Sequence, residues 1–146
     1  MYLPALLQAT PGDLVALSSF KGSKTVVCFF YPKDDTPGCT KEACSFRDSY
    51  AAFVDAGAEV IGISSDGRAS HEAFRARHKL PYTLLSDERN FLRQGFGVPS
   101  DLFGMLPGRQ TYVISKDAKC LLVFNSQMGV EKHVSEALAV IKAAAK

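Results

Sequence analysis

Two periods alternate along the chain. Thr25-Val26-Val27-Cys28-Phe29-Phe30-Tyr31 is an unbroken β-rich run halted by Pro32, the pattern of a strand buried on both faces. Turn formers crowd the following Lys33-Asp34-Asp35-Thr36-Pro37-Gly38. From about Cys39 to Ala56, Ala43, Phe46, Tyr50, Phe53 and Val54 recur at helical spacing, and Gly57 supplies the stop. Ala58 to Ile63 predicts the next strand, which completes a β-α-β unit. Ser70 to Lys79 predicts a charged helix with Ala73 and Phe74 facing inward, followed by a short strand from Tyr82 to Leu85. Glu88 to Gln94 has room for one or two helical turns before an irregular stretch, 95–108. Gln110 to Ser115 and Lys119 to Asn125 flank Lys116-Asp117-Ala118 as a hairpin. A last helix, from about Val130 to Ala144, buries Val134, Leu138 and Ile141. Upstream, Leu3 to Leu17 holds two short strands around Pro11-Gly12-Asp13.

A parallel β-α-β unit followed by a hairpin and a terminal helix predicts an α/β fold: a mixed central sheet with helices on both faces. The order fits a thioredoxin-like domain, and 146 residues with no linker or repeat predict one domain, 1–146. The formal charge of +2, from 17 basic and 15 acidic residues, gives no reason to expect a nucleic-acid partner. The longest apolar run, Val26 to Tyr31, is far short of the ~20 residues of a membrane span. No charged-then-apolar leader precedes a small-residue cleavage site, so no signal peptide is expected. Four cysteines spread over this length read as mostly free thiols in a reducing compartment.

Two of them carry the candidate chemistry. Cys39 falls where the Gly38 turn hands over to a helix, so unpaired amides and the positive dipole end would favour a thiolate. Such positions draw a cysteine from ~8.5 into roughly 3.5–7.5. A half-buried thiol that merely starts a helix is the competing reading. Cys44 lies five residues on, about 7.5 Å along the axis and about 140° around it. An intact helix therefore cannot bridge the pair, whose Cα atoms would have to approach to about 4.4–6.8 Å. If they bond, the first turns must unwind. A metal site is the weaker alternative, because no histidine follows at finger-like spacing.

The segment Tyr31-Pro32-Lys33-Asp34-Asp35-Thr36-Pro37-Gly38-Cys39-Thr40-Lys41-Glu42-Ala43-Cys44-Ser45-Phe46-Arg47-Asp48 resembles the active-site segment of Q-type peroxiredoxins, the bacterioferritin comigratory protein family. It contains their Pro-x-x-x-Thr-x-x-Cys signature as Pro32, Thr36 and Cys39. Pro107-Gly108-Arg109-Gln110-Thr111-Tyr112-Val113-Ile114 is similar to the strand carrying the family's active-site arginine. Asp101-Leu102-Phe103-Gly104 and Glu131-Lys132-His133 look most like the plastid and cyanobacterial branch. The resemblance implies a thiol peroxidase acting on hydrogen peroxide and alkyl hydroperoxides, without cofactor or metal. Cys39 would become a sulfenic acid. Arg109 would stabilise the thiolate and polarise the O–O bond, Thr36 would bind peroxide and sulfur, and Pro32 would wall off water. Cys44 would resolve the sulfenic acid as an intramolecular disulfide, which a thioredoxin-type protein would reduce. The protein would be a monomer within the cell, in a plastid (stroma or thylakoid) if from a photosynthetic eukaryote and cytoplasmic if bacterial.

Two other functional classes fit the residues less well. A thioredoxin-fold interaction or chaperone-like protein would have no need of Thr36, Cys39 and Arg109 together. A disulfide oxidoreductase acting on proteins would carry Cys-x-x-Cys, which is absent. The remaining polar features read as surface: His71, Arg75, Arg77, His78 and Lys79 as a solvated face, His133 as exposed, and Asp34 and Asp35 as turned to water. Cys28 and Cys120 read as small core-facing residues.

Overall fold

A computed structural model describes residues 7–12, 14–101 and 106–144. The chain runs β1 (Leu7–Thr10), β2 (Leu14–Val15), a 3-10 turn (Leu17–Phe20), β3 (Thr25–Phe30), α1 (Pro37–Asp48), α2 (Tyr50–Asp55), β4 (Ala58–Ser64) and α3 (Arg68–His78). It continues with β5 (Thr83–Ser86), α4 (Phe91–Phe96), β6 (Ser100–Asp101), β7 (Leu106–Pro107), β8 (Gln110–Ile114), β9 (Cys120–Asn125) and α5 (Glu131–Ala144). Seven strands form one sheet in the order β2-β1-β5-β4-β3-β8-β9, and β6 pairs with β7 apart from it. The β3, β4 and β5 neighbours are parallel, while β1, β2, β8 and β9 join antiparallel, so the sheet is mixed as expected.

Strand β3 is central and buried on both faces, and its alternation divides the core. Val27 and Phe29, with Tyr31 just beyond, pack with Val60, Leu84 and Val113 under α1, α2, α3 and α5. Val26, Cys28 and Phe30 pack with Ile61, Ile63 and Tyr112 under the 3-10 turn and α4. Helical cover therefore lies on both faces but unequally. Phe29 stacks on Phe46 of α1 with ring centroids 4.4 Å apart, and meets the edge of Tyr82 at 5.7 Å. The neighbouring strand accommodates that ring by carrying Gly62: a Cβ there would come within 2.8 Å of both Phe29 Cζ and Leu84 Cδ2.

The helix expected over 39–56 differs in two respects. It begins at Pro37, where a ring with fixed φ and no N–H suits the first helical position. It also breaks at Ser49 (φ −106°, ψ 5°), giving α1 and α2. Beyond the break, Phe53 packs with its ring centroid 5.8 Å from that of Phe46. Val54 turns outward. Parts of two expected features, the start of the Leu3 to Leu17 segment and Leu102-Phe103-Gly104, lie outside the described residues. Among those described, no helix is long and apolar enough to cross a membrane.

Candidate active site

The site forms where β3 ends. Thr36 caps α1 in extended conformation (φ −84°, ψ 152°), its carbonyl accepting from Thr40 N–H at 2.8 Å and its hydroxyl donating to the Lys33 carbonyl at 2.8 Å. That donation leaves the Thr36 oxygen lone pairs free to accept. Pro37, Gly38 and Cys39 follow as the first three helical residues, so the thiol sits in the first turn, at the positive end of the helix dipole. Cys39 is 1% exposed and Cys44, on the same unbroken helix, is half-buried; both are free thiols. Pro32 opens the loop and is half-buried.

Arg109 reaches this turn from the start of the β8 segment. Its Nη2 donates to Cys39 Sγ at 3.4 Å and its Nη1 to Glu42 Oε1 at 2.7 Å. Two close approaches shape the path. A Cβ on Gly38 would meet Arg109 Nη2 at 3.1 Å, and one on Gly108 would overlap the Pro99 carbonyl. Burial alone would lower the Arg109 pKa, but the Glu42 carboxylate and the Cys39 sulfur outweigh it and raise the value. For Glu42, burial pushes the carboxyl up to about 8, with Arg109 offsetting only part of the cost. A second guanidinium holds the same segment. Arg93 of α4 donates to the Gly108 carbonyl at 2.7 Å and the Tyr31 carbonyl at 3.0 Å, and lies 5.7 Å from the Phe30 ring centroid. It ties the β3 exit to the residue preceding Arg109.

Three buried polar residues correct the expected surface assignments. His133 is fully buried: α5 lays it against β8, with Nδ1 2.7 Å from Thr111 Oγ1 and Nε2 2.8 Å from the Ser126 carbonyl. Its Nδ1 is also 3.5 Å from Glu42 Oε2. Burial lowers its pKa, and the nearby Arg109 charge adds to that. Asp34 and His71 are likewise buried. The Asp34 carboxylate accepts from Tyr31 OH at 2.6 Å and Ser70 OH at 2.8 Å, and lies 2.7 Å from His71 Nδ1. This cluster fastens the active-site loop to α3. Asp35 keeps to the expected solvent face, as do Arg77 and Lys79, and Arg77 holds the Asp35 carboxyl below the usual range.

Asp34, Asp66 and His71 place donor atoms within 4.8 Å of one another, the spacing of a cation site. Each of the closest donors already has a protein partner: His71 Nε2 faces the Leu85 carbonyl at 3.1 Å, and Asp66 Oδ2 accepts from Asp34 N–H and Ser64 OH. The cluster reads as a hydrogen-bonded lock. Cys28 is core-facing as expected, and burial pushes its thiol far up. Cys120 is not: it opens the edge strand β9 and is exposed, next to the register shift between Val113 and Ile114.

A family model described as the AhpC/TSA family matches residues 4–121. The chloroplastic peroxiredoxin Q of Suaeda salsa is 61% identical over 132 residues, covering 90% of this chain and 61% of that protein, so the chain spans about three fifths of its length. The chloroplastic peroxiredoxin Q of Sedum lineare is 57% identical over 139 residues, 95% of this chain and 74% of that protein. Among solved structures, one from work on the alkyl peroxide reduction activity of Xanthomonas campestris bacterioferritin comigratory protein superposes with a TM-score of 0.88 at 31% identity. It covers 97% of this chain and 92% of that one. The thioredoxin-like arrangement expected from the element order agrees with that superposition.

Proposed function

This chain belongs to the AhpC/TSA family and to its peroxiredoxin Q group, and from that premise we propose that it is a thiol peroxidase reducing hydrogen peroxide and alkyl hydroperoxides at Cys39. The observation that carries the reading is Arg109 Nη2 set 3.4 Å from Cys39 Sγ at the first turn of α1. Helix amides and guanidinium both favour negative sulfur there. The thiolate attacks one peroxide oxygen, an S–O bond forms and the O–O bond breaks. The bonding pair leaves on the distal oxygen, which takes a proton and departs as water or alcohol. Sulfur is oxidised by two electrons and the peroxide reduced by two. Arg109 stabilises charge passing to the departing oxygen, Thr36 orients the peroxide with its hydroxyl, and Pro32 keeps water from the sulfur.

Cys44 then displaces hydroxide from the Cys39 sulfenic acid, giving the disulfide and water, once α1 unwinds. An external dithiol of the thioredoxin type returns both to thiols by exchange. The protein works as a monomer and, in a photosynthetic eukaryote, in a plastid, in keeping with the chloroplastic relatives. Stopped-flow mixing of pre-reduced protein with hydrogen peroxide or an alkyl hydroperoxide tests the reading. One peroxide is consumed per Cys39 in a fast phase, and Cys39→Ser abolishes that phase. Consumption no faster than for free cysteine overturns the reading.

A further inference from the structure

Glu42 is enclosed by three elements, and one of its oxygens lacks a partner. Oε1 accepts from Arg109, whereas Oε2 is fully buried without a hydrogen bond. The atom it faces is His133 Nδ1 at 3.5 Å. The Ser126 carbonyl 2.8 Å from Nε2 can only accept, so Nε2 carries a hydrogen. In neutral His133, Nδ1 is therefore a lone pair that accepts from the Thr111 hydroxyl at 2.7 Å, with the Glu42 Oε2 atom 3.5 Å away. With the Thr111 hydroxyl already serving Nδ1, Glu42 Oε2 is left buried without a donor, and a carboxyl oxygen so placed is stabilised by a proton held between it and the ring. The titratable groups around Glu42 are Arg109 from the β8 segment, His133 from α5 and Tyr82 ahead of β5, with Cys39 three residues back on α1.

We propose that His133 is a positioning residue of this site: it shares one proton with Glu42, and that proton latches α1 in its wound form with Arg109 seated against Cys39. Glu42 lies between Cys39 and Cys44, so unwinding must draw its carboxyl out of the pocket. The same movement breaks the Arg109 contact and the bond from Tyr82 OH to the Ala43 carbonyl at 2.7 Å. Once in water the carboxyl releases its proton, and the latch cannot re-form until a proton returns. The other link between the two helices, Lys41 to Glu131 at 3.5 Å, is exposed and contributes little. The latch sets how readily Cys44 reaches Cys39 after peroxide has reacted; that consequence rests on the peroxidase reading, while the latch itself does not.

Hydrogen exchange of the reduced protein, with no peroxide present, reads the latch directly. His133→Gln keeps a donor for the Ser126 carbonyl but withdraws the group facing Glu42. Protection of amides 39–47 falls on the order of tenfold in that variant, while α3 stays protected. His133→Asn, whose amide nitrogen falls near the Nδ1 position, restores part of it. Should the histidine variants fail to fold, the pH dependence of the wild type against Glu42→Gln decides. Wild-type protection of 39–47 falls as the pH is raised from 5 to 8, and Glu42→Gln removes the slope. Protection unchanged in His133→Gln, or a wild-type profile as flat as that of Glu42→Gln, overturns the latch. Failure to consume peroxide would overturn the peroxidase reading and leave these outcomes untouched.

Discussion

Residues with ionisable side chains decide what this site does, and the decisive ones point inward. Arg109 presents two donors in a fixed fork, one on Glu42 and one on Cys39. A lysine offers a single mobile charge and cannot hold both. Arg109→Lys is expected to slow peroxide attack on the order of 10²-fold, the usual cost of losing a directed donor to developing charge. A stopped-flow rate within twofold of wild type would sink its assigned role. Gly38→Ala tests the same contact sterically, because its Cβ lands 3.1 Å from Arg109 Nη2. The guanidinium must retreat, and alkylation of Cys39 by iodoacetamide should slow while circular dichroism stays unchanged. These buried charges were partly legible in the pattern. Glu42 falls three residues after Cys39 and four before Phe46, on the apolar stripe of α1. His133 and His71 share stripes with Ala137 and Phe74. A polar residue on a buried stripe signals a buried partner, but spacing along one helix cannot say which.

At the scale of elements, α1 is both the scaffold of the reactive thiol and the obstacle to its resolution. Oxidation should release amides 39–47 to exchange and expose apolar surface around Ala43 and Phe46, both fully buried in the wound form. Equal protection in a demonstrably disulfide-bonded sample would mean that the pair closes without unwinding. The acid–base linkage has a definite sign. The Glu42 carboxyl is raised from 4.5 to about 8 when wound, so the wound form holds more protons than the open one across that range. Its advantage is complete below about 4.5, declines as the pH climbs, and is lost above about 8. Disulfide formation in single turnovers should therefore accelerate from pH 5 to 8 beyond what ionisation of Cys44 alone explains, and Glu42→Gln should remove the excess. The β4 strand supplies a stability test of a different kind. Gly62→Ala forces a methyl to within 2.8 Å of Phe29 and Leu84 and should cost about 1–3 kcal/mol in chemical denaturation, with little change in peroxide rate per folded molecule.

Over the whole molecule, the four thiols divide by environment. After one equivalent of peroxide, peptide mapping should find Cys39 joined to Cys44 within the chain. Cys120, exposed at the sheet edge, should alkylate in the native protein, whereas Cys28 should do so only in denaturant. A Cys39–Cys120 bond, or only disulfide-linked dimers, would refute the resolving role of Cys44. Much of this architecture follows from the order of residues alone. The period-2 run ending at Pro32, the helical spacing after Gly38 and the hairpin at Lys116-Asp117-Ala118 are local signals, each complete within about a dozen residues. They determined the element order, the mixed sheet, the placement of Cys39 at a helix start and the incompatibility of Cys39 and Cys44 on one wound helix. Tertiary structure alone decided that Asp34, His71 and His133 are interior, that Cys120 is not, and that Arg109 faces Glu42 67 residues back along the chain. The physical reason is range. Backbone propensity and periodicity act over a few residues, whereas burial of a charge depends on partners brought in by other elements, and it is stable only once they are in place.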